Sequence, residues 1–521
     1  GRRPAILLRQ ANAFEIADRM QAAISTYREL ATTYPSATEA GTALDALSGF
    51  GEYLSVDSYI RGRILLTQGD PDNAEVALTT ALSDGSSPRG GAPAAYYRGM
   101  ARRDSGDMDG AIADFNRVAT QFPRDPLAPE GAWLAARLTE FNSGPDDGIF
   151  AYQALADAFP SSSRAAQALA RAGWLASQQG DDDGARVSWT SLGNLPGPQA
   201  EAQGRFWLGR ALLGMGQTDD AMSALDQAQQ AAPLSYEGLR ARDLEAPGSA
   251  REPYVAAWTT HLAAPNDQDP AACRNWIDSW ADPAETEPPV DDLLSRVNRL
   301  VGVGLVGPAA AEVLDAKASL GPHGIYELAL ALNQAGLYPE SLVLANDLSV
   351  QSPPPTIDDA PPCLQRLVYP LAYSDLVQQE ATKNGLDPYL LLGLLRQESW
   401  FGAGAQSSAA ASGLAQIIPS TAQDIARSLG QPGFTQQDLL RPTTAIAFGA
   451  RYLSDQYQRF GRRALLALAA YNGGGASVAR WQEGDPRIDA DDFVQNIDFV
   501  ETRIYVRSIY EIYGHYRALY G

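Results

Sequence analysis

A chain of 521 residues is too long for one core, since domains run to about 100–200 residues, so it divides into several folded units. Its 45% hydrophobic and 20% charged residues exclude a disordered chain, and Ala-rich stretches with few β-branched runs favour helix, which predicts an all-α protein. The net charge of -22 excludes nucleic acid or an anionic membrane as the main partner, because both would repel such a surface.

The opening Gly1-Arg2-Arg3-Pro4 carries no leader, as expected if a signal or lipoprotein anchor has been removed before it. Segments of small and aromatic residues that close on proline then recur, including Ala22–Tyr27 up to Pro35, Ala111–Phe115 up to Pro123, Ile149–Tyr152 up to Pro160, Ala185–Trp189 up to Pro196 and Ala221–Leu225 up to Pro233. The last four prolines lie 37, 36 and 37 residues apart, near the period of a helix-turn-helix repeat in which small residues let paired helices approach and Pro ends the second one. Trp133, Trp174 and Trp207 lie on the preceding helices, and Gly180-Asp181 and Gly216-Gln217 mark the turns inside pairs. Residues 1–290 thus resemble a tetratricopeptide-like superhelix whose aromatics are mostly core.

Proline clusters at Asp282–Pro289, Pro353–Pro355 and Pro361-Pro362 punctuate the next stretch of chain, so 291–363 reads as a small helical linker domain with turns at Gly302, Gly304, Gly307 and Gly321. Cys273 and Cys363 are either core thiols or one disulfide closing a long loop, and the sequence leaves both open. With no C-x-x-C and three scattered histidines, His261, His323 and His515, no metal or cofactor is expected. No apolar run reaches the roughly 18 residues of a membrane span.

Residues 364–521 form the last domain, expected to fold alone behind its proline-rich boundary. They carry 14 Arg and Lys against 15 Asp and Glu, so the acidity belongs to the rest of the chain. Asp387-Pro388 starts a helix that is apolar all round and ends at Glu398. A carboxyl among apolar neighbours at the negative end of a helix dipole has a raised pKa and suits a general acid; a surface pair with Arg396 is the plainer alternative. The Gly, Ala, Gln and Ser residues from Gly404 to Ser412 suit a close-fitting polar loop. Ser420 or Thr421 then caps a helix running to Gly430, and a further apolar helix ends at Tyr471-Asn472-Gly473-Gly474.

Glu398-Ser399, Gly413-Leu414-Ala415-Gln416, Ala470-Tyr471-Asn472 and Glu501–Val506 occur in order, and the C-terminal domain resembles the family 1 lytic transglycosylases, Slt-type enzymes with a lysozyme-like catalytic domain. The helical repeats, with Tyr236-Glu237-Gly238-Leu239, and the linker are similar to the rest of that plan. The resemblance implies cleavage of peptidoglycan between N-acetylmuramic acid and N-acetylglucosamine to a 1,6-anhydro product, in the cell envelope, with no cofactor and with contacts to other wall enzymes through the repeats. It implies Glu398 as the single catalytic acid and then base, and Ser399, Ser407, Gln416, Tyr471, Asn472 and Glu501 as substrate-binding. Ala415 and Ile418 depart from the family's Met at those positions and so remove apolar contact from the cleft floor. No acid lies between Ser399 and Ala422, which fits one carboxylate and a substrate-assisted reaction better than a two-carboxylate glycosidase. Glu501 is the rival carboxylate, with a salt bridge to Arg503 or another Arg as its structural reading. A hydrolytic muramidase and a silent wall-binding scaffold are the alternative functions.

Overall fold

The structure is a computed structural model that describes residues 3–246, 262, 270–282, 290–354 and 356–521. His261 and the prolines at 283, 288, 289 and 355 lie outside the described residues. Within them the regular elements are α-helices and short 3-10 turns, with two isolated β-bridges around Ser412. The chain divides into two compact units, Gly1–Ala232 and Pro233–Gly521.

In the first unit each helix packs against the next along the chain, as a repeat array requires. The periodic prolines stand just beyond the helices Met108–Gln121, Pro145–Ala158, Asp182–Gly193 and Thr218–Ala231. The turns inside the pairs have a simple cause. Gly106 and Gly180 take left-handed backbone at φ +94° and +74°, and the next residue, Asp107 or Asp181, accepts a hydrogen bond from Gly110 N or Gly184 N to cap the following helix. Small residues set the spacing: a methyl group at Gly173 would overlap the Trp189 indole. Trp207 meets Trp174 edge to face at 6.0 Å and stacks on Trp189 at 5.9 Å between ring centroids, an aromatic cluster within the repeats. In the segment Ile149–Tyr152 the buried aromatic is Tyr152, whose hydroxyl donates to Glu140 at 2.7 Å, while Phe150 is 74% exposed.

The second unit shares one continuous core from Tyr236 to Tyr516. Its linker portion contains the helices Asp291–Gly302, Val306–Lys317, Pro322–Gln334 and Tyr338–Gln351, so Gly307 lies inside a first helical turn and not at a break. Cys273 and Cys363 form a disulfide with Cα atoms 6.0 Å apart, joining the helices Pro270–Asp278 and Pro362–Val368 across 90 residues of sequence. The terminal helix Val500–Tyr520, 21 residues long, packs against the helix Pro388–Ser399 that carries Glu398. Ser420 and Thr421 sit in the first turn of the helix Pro419–Ser428, whose N-cap is Ile418 with no side-chain bond; Pro419, with its fixed φ and no N–H, supplies the start.

The helix Tyr236–Glu245 belongs to this unit and supplies what residues 364–521 lack: Arg240, 1% exposed, is paired with Asp491, 0% exposed, at 2.9 Å. A fragment starting at 233 is therefore expected to melt cooperatively. One starting at 364, which loses the partner of a buried charge, is expected to be about 3–5 kcal/mol less stable in urea titrations. Equal midpoints would show that residues 364–521 fold on their own.

Candidate active site

The Glu398 helix begins where Asp387 accepts a hydrogen bond from Tyr389 N at 2.8 Å, with Pro388 at the first helical position. Residues Pro388 to Leu395 are all buried, so the helix is held on every side up to its part-buried last turn, Arg396 to Ser399. It stops abruptly. Trp400 and Phe401 take left-handed backbone at φ +51° and +63°, a conformation that costs a non-glycine residue about 1–3 kcal/mol and needs surrounding structure to hold it. That support includes Phe401, buried 6.0 Å from the Tyr338 ring, while Trp400 stays 44% exposed beside Glu398 in sequence.

The Glu398 carboxyl accepts a hydrogen bond from the Tyr505 hydroxyl at 2.5 Å. Burial pushes the carboxyl up from its ordinary value of 4.5 to about 7, the Tyr505 bond acts in the opposite sense, and the charge of Glu501 adds to the rise. Arg396 is turned elsewhere: its Nε donates to the Val368 carbonyl at 2.9 Å and its guanidinium lies 4.6 Å over the Tyr369 ring. Tyr471 and Tyr505 are both raised well above the ordinary tyrosine value, first by burial and next by the Glu398 charge, so both hydroxyls stay protonated.

The other motif residues converge on one short stretch of backbone. Ser399 Oγ donates to the Leu414 carbonyl at 2.9 Å, Tyr471 Oη donates to the Ala415 carbonyl at 2.7 Å, and Gln416 Nε2 donates to the Gly413 and Ala405 carbonyls at 2.8 and 3.2 Å. Small residues permit this. Any side chain at Gly413, at φ +74°, would strike the Leu439 carbonyl, and one at Gly449 would come within 2.5 Å of Ala415 Cβ. Ala415 is thus buried under the helix Pro442–Arg459 and forms no open floor, whereas Ile418 is 43% exposed.

Ser407 is exposed and its hydroxyl accepts from Ala409 N and Ala411 N at 3.2 and 3.1 Å, closing its own loop with no bond to the Glu398 group. Asn472 is exposed at the end of the helix Ala464–Gly473, its side-chain oxygen Oδ1 accepting from Thr502 Oγ1 at 2.5 Å. Glu501 is exposed in the first turn of the terminal helix. Sequence reasoning did not single out Tyr505, though it lies in the fourth motif. The signal was its position four residues after Glu501, which puts both on adjoining turns of one helix face.

Two outcomes are expected from this geometry. Between pH 4.5 and about 7 the folded state holds the Glu398 proton that the unfolded chain releases, so stability falls as pH rises through that window. Glu398→Gln is therefore expected to stabilise the protein above pH 7 by up to ~3 kcal/mol and to give no gain below pH 4.5, read from urea melts across that range. Tyr471→Phe leaves the buried Ala415 carbonyl without its donor and is expected to cost about 1–3 kcal/mol of stability as well as activity, both measured on one preparation.

Residues 375–494 match the family described as Transglycosylase SLT domain, and residues 59–126 and 203–235 match tetratricopeptide repeat families. The soluble lytic murein transglycosylase of Escherichia coli K12 is 37% identical over 155 residues, which are 29% of this chain and 24% of that protein. The membrane-bound lytic murein transglycosylase C of Shigella sonnei is 34% identical over 117 residues, 21% of this chain and 33% of that protein. The matches thus span about a quarter to a third of those relatives' length. Among solved structures, an inactive Glu-to-Gln mutant of the lytic transglycosylase Slt from Pseudomonas aeruginosa superposes with a TM-score of 0.59 at 19% identity, covering 99% of this chain and 82% of that one. A 70-kDa soluble lytic transglycosylase in complex with bulgecin A gives 0.58 at 22% identity, covering 98% and 81%. The chain shares the fold of these proteins, and the stretch that matches the transglycosylase SLT domain family lies in its C-terminal unit, after the stretches that match tetratricopeptide repeats.

Proposed function

We propose that this chain is a peptidoglycan lytic transglycosylase that cleaves the β-1,4 bond between N-acetylmuramic acid and N-acetylglucosamine. The observation that supports it most is a single carboxyl, Glu398, raised to about 7 and hydrogen-bonded by one tyrosine. A group that titrates there can hold a proton to give and, having given it, serve as a base, which are the two halves of the reaction. Glu398 protonates the glycosidic oxygen; the resulting carboxylate takes the proton of the muramic C6 hydroxyl as that oxygen closes on C1. The positive charge that develops at C1 between these steps is met by the substrate's own acetamido group, the substrate-assisted exception to the two-carboxylate rule. Glu501 acts as a charge that raises Glu398 and as a contact at the cleft mouth. Asn472 offers its exposed amide to the glycan, and Ser407 its loop. Ser399, Gln416 and Tyr471 hold the cleft wall through their bonds to residues 413–415 and 405.

We place the reaction in the cell envelope, where the substrate is, and the Cys273–Cys363 disulfide suits an oxidising compartment. The near-neutral residues 364–521 can approach an anionic wall that the acidic remainder of the chain would repel. Digestion of purified peptidoglycan and mass spectrometry of the products is expected to give anhydro-muropeptides, lost by a factor of about 10²–10⁴ or more in Glu398→Gln. Reducing muropeptides would instead identify a muramidase, and no cleavage a binding scaffold.

A further inference from the structure

The terminal helix Val500–Tyr520 has two working faces. Tyr505, Ile509 and Ile512 face the Glu398 helix: Tyr505 bonds Glu398, and Ile509 and Ile512 pack over Gly393, where an added methyl group would meet both at ordinary contact distance, 3.5 and 3.6 Å. Arg507, Tyr510, Glu511 and Gly514, spaced as successive turns of a second stripe, meet the helix Tyr236–Glu245. Arg507 donates to Glu237 at 2.6 Å and lies 4.5 Å over the Tyr236 ring; Tyr236 N donates to Glu511 at 3.0 Å; the Tyr510 hydroxyl donates to Asp243; Gly514 admits the Leu239 side chain. The same short helix reaches the segment before the terminal helix. Arg240 Nε and Nη2 donate to Asp491 at 2.9 and 3.1 Å, and the Tyr236 hydroxyl donates to Asp491 at 2.7 Å.

We propose that Glu237 and Arg240 are positioning residues of the glycan-cleaving site: through Arg507 and Asp491 they fix the register of the terminal helix and so hold the Tyr505 hydroxyl on Glu398. Three observations carry this. The Arg507 contact lies half a helical turn from Tyr505, so the clamp acts on the turn that bears the hydroxyl. Glu237, Arg240 and Asp491 are 4%, 1% and 0% exposed, so their directional bonds are not in competition with water. The Tyr505–Glu398 hydrogen bond is directional, so sliding of the terminal helix tilts or stretches it and weakens it. The apolar packing over Gly393 resists separation of the two helices but not slippage along them, whereas ion pairs with defined geometry resist slippage.

The inference rests on Glu398 as the acid, and the test separates the two. In the full chain, the Glu398 carboxyl is titrated by difference infrared spectroscopy of each protein against its Glu398→Gln counterpart, while kcat, KM and Tm are measured on soluble glycan strands. Tyr505→Phe serves as the reference, since loss of its bond moves the titration upward. Glu237→Gln and Arg240→Lys are expected to move it in the same direction and to lower kcat about tenfold with KM within about twofold, the signature of a misplaced group and not of lost binding. Tyr236→Phe keeps the ring on Arg507 and deletes only the hydroxyl's bond to Asp491, so it reports on the clamp even where a charge variant does not fold; it is expected to shift the titration by a smaller amount. A lower Tm with titration and kcat unmoved in the folded variants would overturn the proposal. A titration that moves in a protein that cleaves no glycan would overturn the functional reading and leave the coupling standing.

Discussion

Taking water away from a carboxylate costs more than one hydroxyl neighbour returns, and Glu398 is held in that condition. Burial is the largest influence on it, the Tyr505 bond only moderates the effect, and Arg396, the nearest cation in sequence, is committed to the Val368 carbonyl and the Tyr369 ring. Much of the second unit can be understood as the frame this arrangement needs. The helix that bears Glu398 is buried along its whole apolar length, Pro388 to Leu395, so it cannot roll as a body and carry the part-buried carboxyl away from Tyr505. Its end is forced by two left-handed residues, Trp400 and Phe401, instead of fraying by a turn. A frayed end would let water in and return the carboxyl to an ordinary, ionised state.

The loop opposite shows the same logic on a smaller scale. Ser399, Tyr471 and Gln416 direct their donors to carbonyls of residues 413–415 and 405, which gives buried backbone acceptors the partners they need. Residues that would be read as substrate contacts from their place in a motif thus have a prior duty to the backbone. Such bonds fix the 413–415 backbone beside the Glu398 helix, and backbone that moved by an ångström would misplace whatever it touched. Alanine at position 415 makes sense in these terms. Ala415 lies against Gly449, where there is no room for a larger pair.

What the sequence disclosed and what it withheld divide along sequence separation. The cap at Asp387, the apolar helix, the acid at its end and the recurring proline-ended helices are local patterns, set by periodicity and turn chemistry within a dozen residues or so. The choice between Phe150 and Tyr152 as the buried aromatic of one repeat was already beyond such patterns, because two residues of offset turn a helical side chain to another face. Ser420 and Thr421 looked like caps because of their hydroxyls, yet Pro419 starts the helix before either. The disulfide, the Tyr505 bond and the docking of Tyr236–Glu245 join residues 90, 107 and about 250 positions apart. A residue's type says what bond it could make; only the packing of whole helices says with which partner.

That last contact also bears on why charges are buried here at all. Two ions withdrawn from water lose several kcal/mol of solvation each, and a well-packed apolar pair of similar volume is often as stable or more so. Arg240 with Asp491, and Arg507 with Glu237, are therefore poorly explained as sources of stability alone. What apolar contacts do not offer is direction. Ile509 and Ile512, at ordinary contact distance over Gly393, tolerate some sliding, while a guanidinium bridging both oxygens of Asp491 is satisfied in only one position. Holding one hydroxyl on one carboxyl calls for that kind of constraint in the helix that supplies the hydroxyl, and the buried Arg507–Glu237 pair on its far face is a physical means of providing it.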